Sequence, residues 1–369
     1  MRISAAIVSE KSGPFVIDTV ELCDPRADEV IVRVVASGMC QTDLHGRDGY
    51  YATPYPSVYG HDGAGVVHAV GSAVRSLSPG DHVVTSFPWC GTCSNCLQNM
   101  QSYCVHAFGL KMKGTRADGT TLLSKNGQPI YSAFFQQSSL GTYALTQERY
   151  AVKVRKDAPL ELLGPLACSG QTGAGAVLNV LKPKPGDSFA VFGVGAVGLS
   201  ALMAAKIARC DPIIAVDIHP HRLALAQELG ATHTINHRAG GDLVAKILAI
   251  TGGGVRASVD TSAAPGVFRE AAEALMPRGT CVLLGSARKG TEVSFEMPFL
   301  QEGRIVRGVI QGDSVPKEFI PRLVDLIMEK KFPIEKMIKF YDFADINVAA
   351  KESSSGVAIK PVLLMPHDE

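Results

Sequence analysis

The sequence predicts an α/β protein of two domains, a doubly wound parallel-sheet domain and a β-rich domain whose chain is split around it. Three observations carry this prediction. From about Leu178 to Ile310, short aliphatic runs (SFAVF, IIAVD, ASVDT, TCVLLG) alternate with helical patterns such as GLSALMAAKIA, HRLALAQELG and GVFREAAEALM. Strands alternating with helices at this spacing form parallel βαβ units. The first 150 or so residues instead carry short runs, EVIVRVV, GAGVVHAV and DHVVTSF, bounded by Gly, Pro and Asp as strands and turns are. Finally, no low-complexity linker or repeat intervenes, and the tail supplies one helix, SVPKEFIPRLVDLIMEKK, and a terminal strand, AIKPVLLM. The expected division is 1–169 with 311–369 for the β-rich domain and 170–310 for the parallel-sheet domain.

Composition narrows the function. Lys and Arg number 36 against 35 Asp and Glu, a net charge of +1, which removes the electrostatic case for a nucleic-acid binder or a polybasic membrane anchor. Residues 188–205 run for eighteen residues without a charge, but Gly193, Gly195 and Gly198 interrupt the stretch after FAVF. A buried strand, a glycine turn and an apolar helix explain it better than a membrane span. The N-terminus lacks the apolar core of a secretory signal, so a cytoplasmic protein with reduced thiols is expected. Nine cysteines, six of them between Cys40 and Cys168, make an odd and clustered set. That pattern suits metal binding better than a disulfide framework.

Gly193-Val194-Gly195-Ala196-Val197-Gly198 is a G-x-G-x-x-G between a strand pattern and an apolar helix. A tight glycine turn there lets backbone N–H groups at the helix start meet a pyrophosphate. The next strand, IIAV, ends in Asp217, nineteen residues after Gly198. A carboxylate at this place hydrogen-bonds the adenosine ribose and repels the extra phosphate of NADP. Arg222 could flank the adenosine or be a solvated helix charge, which leaves NADP open.

Cys90, Cys93, Cys96 and Cys104 form C-x2-C-x2-C-x7-C. Four thiolates on one short lobe suit a closed tetrahedral structural Zn²⁺, and an iron–sulfur cluster is the rival reading. A second set is dispersed: Cys40 in GMCQTDLHG, His61 in YGHDGAG followed by Asp62, and Cys168 in PLACSGQTG. Taken singly, each reads as a core thiol or a satisfied histidine. Together they can make a Cys2His zinc site with an open fourth position, the catalytic pattern.

These motifs, with VFGVGAVGLS and AVDIHPHRLALAQELGA, resemble the zinc-dependent medium-chain alcohol dehydrogenases over essentially the whole chain. RDGYYATPYPSVYGHDGAG looks most like the aryl (benzyl) alcohol dehydrogenases. The resemblance implies a Rossmann cofactor domain, a GroES-like β-rich catalytic domain, NAD(H) and two Zn²⁺ per subunit. It implies that Cys40, His61 and Cys168 bind the catalytic zinc and Cys90, Cys93, Cys96 and Cys104 the structural one. Asp43 matches the carboxylate that orients the ligand histidine, and Thr42 and His45 match the proton relay. Thr172 matches a residue beside the nicotinamide and Lys360 a base reaching the pyrophosphate. Two positions depart from the family pattern. Asp62 replaces the usual Glu, which alters any approach to zinc, and Gln41 stands where Arg or His contacts the pyrophosphate, which weakens cofactor binding.

In the mechanism this implies, zinc acidifies the alcohol as it acidifies water, from about 15.7 to about 7. Hydride then passes to NAD⁺, and the proton leaves through Thr42, a ribose hydroxyl and His45. Phe134 and Phe135 match pocket-lining positions, with Phe87, Phe108 and Ile310 as further candidates, so benzyl, cinnamyl or other allylic alcohols are the expected substrates. An insert between Lys111 and Gln137 resembles the dimeric branch. A homodimer is expected, with contacts through TEVSF and RIVRGVI and a homotetramer left open. The competing readings are a polyol or sugar dehydrogenase, which needs a polar pocket, and a non-catalytic NAD sensor or zinc-free quinone reductase, neither of which needs the full ligand set. Cys23, Cys210 and Cys281 have no assigned role.

Overall fold

The computed structural model describes residues 1–366. The chain forms two compact units, one of residues 1–168, 315–328 and the C-terminal stretch from Met337, the other of residues 169–314 and 329–336. Residues 329–336, read above with the β-rich domain, cluster with the parallel-sheet unit, where Lys336 pairs with Glu228.

The first unit is built on antiparallel strands. Glu29–Gly38 is its central strand: it pairs with Asp62–Val70 on one side and with Tyr143–Gln147 and Lys360–Leu364 on the other. The register sets Gly38 opposite both Asp62 and Val362, and Met39 N–H donates to the Pro361 carbonyl at 2.9 Å. Residues 39–40, 61–62 and 360 therefore meet at one end of the sheet although they are far apart in sequence. The terminal strand Lys360–Leu364 thus lies in the sheet of this first unit. A second sheet, in the order Ser57–Val58, Arg2–Val8, Val16–Leu22, Leu123–Lys125 and Gln128–Ile130, packs its apolar residues (Ala5, Ile7, Val20, Leu22) into a core shared with Met39, Leu44 and Tyr59.

The second unit is a six-stranded parallel sheet in the order His233–Asn236, Ile213–Asp217, Phe189–Phe192, Val255–Asp260, Leu275–Leu283 and Ile305–Gly308. Every residue of Phe189–Phe192 and of Ile213–Asp217 is buried, as expected where helices cover both faces of a parallel sheet. The uncharged stretch resolves into the strand Phe189–Phe192 and the helix Ala196–Ile207. Among the described residues no helix is long and apolar enough to cross a membrane. The order 3-2-1-4-5-6 places the switch point at Phe189–Phe192, and ligands of such sheets bind outside the carboxyl ends of the strands.

Candidate active site

Asp43 organises one end of the first unit. It lies in the helix Gln41–Arg47, directly after the central strand, and is fully buried. Its Oδ2 accepts the Cys40 N–H at 2.9 Å, and its Oδ1 accepts the Gly60 N–H at 3.0 Å and lies 2.9 Å from His61 Nδ1. This bond fixes the proton on Nδ1 and frees Nε2, which is buried and has no hydrogen-bond partner. A buried nitrogen left so is costly unless something else takes its lone pair.

Cys168, at the end of the turn Gly164–Ala167, brings its sulfur to 3.9 Å from that of Cys40. The ligand atoms of Cys40, His61 and Cys168 all lie within 4.8 Å of one another. Two thiolates on a tetrahedral zinc, each about 2.3 Å from it, stand roughly 3.8 Å apart, so the observed sulfur separation and the orphaned Nε2 fit that ion. Hydrogen bonding from Cys168 lowers the Cys40 thiol well below its ordinary range, against burial, with His61 and Lys360 adding to the effect. Burial opposes charge on His61, but Asp43 and Asp62 raise it well above the usual imidazole value.

Asp62 is also fully buried, with its Oδ2 on the Lys360 ammonium. Its Oδ1 lies 3.9 Å from His61 Nε2 and has no hydrogen-bond partner. Lys360, only 2% exposed, adds a long contact to the Met39 carbonyl at 3.5 Å. Thr42 Oγ1 lies 3.8 Å from the Cys40 sulfur. The half-buried His45 ring stacks on Tyr50 at 4.4 Å and meets Tyr51 edge-on at 5.9 Å. Gln41 is exposed.

Aromatic side chains wall the ligand histidine. Phe135 stacks on His61 at 4.5 Å and 27°, and Phe134 meets it edge-on at 5.9 Å. Both phenylalanines are buried, as is Phe87. Phe135 holds a left-handed backbone, φ 51°, uncommon enough for an aromatic residue to mark a constrained turn. Phe108, by contrast, is 64% exposed.

The cysteine lobe is a local structure. Cys90, Cys93, Cys96 and Cys104 bring their sulfurs within 4.8 Å of one another. Burial resists charge on Cys90, yet the N–H groups of Thr92 and Cys93, 3.4 and 3.3 Å from its sulfur, bring it down to about 5. Burial pushes Cys96 up to about 12. Arg149 ties the lobe to its sheet through the Cys90 carbonyl at 2.9 Å.

In the second unit, Gly193 takes φ +87°, and a Cβ on Gly198 would lie 1.9 Å from the Gly193 carbonyl oxygen; the turn thus excludes any larger residue at Gly198. Asp217 receives three N–H groups, from Val194 on Oδ2 at 2.8 Å and from Ile218 and His219 on Oδ1 at 2.7 and 2.8 Å. The carboxylate so stands against the glycine turn, with Arg222 near Gly195. Thr172 donates to Gln311 Oε1 at 3.2 Å, beside the half-exposed Ile310.

Sequence reasoning did not find the stacking of Tyr50 on His45, the Asp62–Lys360 pair, or a buried bidentate pair between Glu29 and Arg116 at 2.6 and 2.8 Å. Cys23 packs on that pair, 3.2 Å from the Arg116 guanidinium, while Cys210 and Cys281 are buried and unpaired.

A glycine-turn parallel sheet, a Cys2His set and a four-cysteine lobe define a zinc-dependent, NAD(H)-using oxidoreductase. Two family models match the chain: "Alcohol dehydrogenase GroES-like domain" over residues 26–156 and "Zinc-binding dehydrogenase" over residues 196–329. The geraniol dehydrogenase of Castellaniella defragrans is 44% identical over 362 residues, 98% of this chain and 97% of that one. Among solved structures, an alcohol dehydrogenase zinc-binding domain protein from Burkholderia ambifaria matches with TM-score 0.98 and 49% identity over the full length of both chains. The benzyl alcohol dehydrogenase of Acinetobacter calcoaceticus matches with TM-score 0.95 and 43% identity, over 99% of this chain and 100% of that one. The chain belongs to the zinc-containing medium-chain alcohol dehydrogenase family, and it is an enzyme that uses zinc and NAD(H).

Proposed function

We propose that this enzyme interconverts primary aromatic or allylic alcohols and their aldehydes. The observation that carries the reading is the Phe135 ring stacked flat on His61, with Phe134 beside it. Apolar aromatic walls against the ligand imidazole favour a flat or unsaturated carbon skeleton, and relatives named for geraniol and benzyl alcohol support it. A polyol would need hydrogen-bond partners that these rings do not offer.

In this reading Cys40, His61 and Cys168 hold the catalytic zinc, while the four-cysteine lobe holds a second. When bound, zinc supplies Lewis acidity toward the alcohol oxygen and the nicotinamide accepts two electrons. The protein's own groups do the rest. Asp43 fixes the His61 tautomer and the direction of Cys40. Thr42 Oγ1 receives the alcohol proton as it releases its own hydroxyl proton toward His45, which is held by Tyr50 and hands a proton on to solvent. The glycine turn at Gly193–Gly198, Asp217 and Arg222 hold the pyrophosphate and adenosine ribose, with Thr172 toward the nicotinamide, while Lys360 is spent neutralising Asp62. Phe87, Phe134 and Phe135 shape the substrate pocket, with Phe108 as an outer candidate.

The second unit ends in an exposed strand edge, Ile305–Gly308, flanked by Met297 at 77% exposure. Pairing of two such edges would give the homodimer we assign. Nine unpaired thiols suit a reducing cytoplasm.

A panel of benzyl, cinnamyl, geranyl and polyol alcohols with NAD⁺, followed by reduced-nicotinamide absorbance, tests the assignment. Turnover of the aryl and allylic alcohols is expected, and activity confined to polyols would overturn it. A His45→Gln variant should shift the pH–rate profile; an unchanged profile would remove His45 from the relay.

A further inference from the structure

Lys111 places a cation on the aromatic wall. It lies in the short helix Ala107–Met112, which leads out of the cysteine lobe. Its ammonium stands 5.3 Å from the centre of the Phe135 ring and 5.8 Å from that of Phe87. Phe135 in turn stacks on His61 at 4.5 Å. The ammonium is therefore no farther from the ligand imidazole than those two legs laid end to end.

No carboxylate answers this charge: among the described residues Lys111 makes no ion pair and no hydrogen bond. Burial brings its pKa down to about 8, against the opposing influence of Cys168 and Cys104. Two ring faces hold a cation weakly compared with a carboxylate. An ammonium held on two ring faces, with no carboxylate paired to it, is placed to take an anion or an oxygen acceptor.

We infer that Lys111 is a specificity-determining residue of the substrate pocket, taking an anionic or oxygen-acceptor substituent at the end of the alcohol remote from its reacting carbon. The inference rests on the aryl–allylic reading above and sharpens it. The favoured substrates are aromatic or allylic alcohols carrying a carboxylate, or less strongly a hydroxyl or ether oxygen, rather than purely hydrocarbon ones. An ammonium–carboxylate hydrogen bond in a pocket of low polarity has the strength to set that preference.

The test compares 4-(hydroxymethyl)benzoate with benzyl alcohol, with NAD⁺ and the zinc-loaded enzyme. Wild type is expected to use the acid at least as well as the neutral alcohol. Lys111→Met should lose about ten- to a hundredfold in kcat/KM for the acid, the range of one charge-assisted hydrogen bond. That loss should fall in KM, with benzyl alcohol hardly affected, and Lys111→Arg should keep the preference. Equal losses on both substrates would show a structural wedge and overturn the inference. So would a wild-type enzyme that oxidises benzyl alcohol but rejects the acid, a result that needs no variant to fold. Turnover of neither aryl alcohol would overturn the aryl reading and this inference together, whereas benzyl turnover with no Lys111-dependent acid preference would overturn the inference alone.

Discussion

Replacing Asp43 by Asn tests how the ligand set is held. Every contact of this carboxylate is as an acceptor: Cys40 N–H on one oxygen, Gly60 N–H and His61 Nδ1 on the other. An amide offers one acceptor and one donor, so either orientation sets an NH₂ against an N–H. With the amide oxygen kept toward Gly60 and His61, the Cys40 N–H is orphaned. With it turned toward Cys40, the NH₂ faces Gly60 and makes His61 Nδ1 an acceptor, which moves the ring proton to Nε2. That second outcome removes the lone pair a metal needs. The lost charge-assisted bond contributes about 1.5–3 kcal/mol and the orphaned buried donor about 1–3 kcal/mol. Part of this falls on the metal-free state as well. The loss specific to metal binding is expected to be about 10- to 100-fold in affinity at the Cys40 site, the usual range for such supporting carboxylates. Zinc content measured through stepwise chelator dialysis should fall from two per subunit to one earlier than in wild type, the cysteine lobe keeping its ion. A variant that holds both ions with wild-type affinity would refute the reasoning, whatever its kcat.

Other predictions follow from equally local contacts. Gly198→Ala places a Cβ against the Gly193 carbonyl, 1.9 Å away before relaxation; NAD⁺ affinity measured by fluorescence titration should drop at least about tenfold, with zinc content unchanged. Cys93→Ser should lose one zinc and lower the apparent melting temperature while leaving turnover at low temperature largely intact; retention of both ions would count against the lobe as a metal site. Glu29→Gln breaks the buried pair with Arg116 and leaves the guanidinium uncompensated. It should destabilise by about 3–5 kcal/mol, read from the urea midpoint, and a shift under about 1 kcal/mol would show water or Cys23 taking over.

What was legible in the sequence follows the range of the interaction. The cysteine lobe shows itself because its four ligands span Cys90 to Cys104, so the motif and the site are the same object. The glycine turn is legible for the same reason, since Gly193 and Gly198 constrain each other within one turn of chain. Cys40 and Cys168 meet across 128 residues, and no local pattern joins them; family resemblance supplied that link. Nothing in the sequence marked Arg116 as the partner of Glu29, 87 residues away. Hydrophobic periodicity reports which face of an element is buried, not which polar groups meet there. Phe108 and Phe135 show the same limit: the resemblance pointed to Phe135 and offered Phe108 as a further candidate, and one ring is mostly exposed while the other lies flat on His61.

The charges around the ligand set also explain why the Asp62 departure is tolerated and why Lys111 matters. With Zn²⁺ bound, two thiolates and a neutral imidazole would leave the ligand set uncharged. Asp62 and Lys360 cancel each other in a buried pair, so the shorter side chain leaves the local sum as it was. The Asp43 charge is met by two N–H groups of the backbone and the His61 ring. A neutral alcohol would therefore meet a nearly neutral site. Lys111 breaks that balance, standing on the Phe87–Phe135 wall with no carboxylate of its own. A balanced site needs no counter-charge from its substrate; a site with one unanswered ammonium gains from a substrate that brings one. The same balance predicts where selectivity resides: at the far end of the pocket, through Lys111, and not at the reacting oxygen, where the charges already cancel.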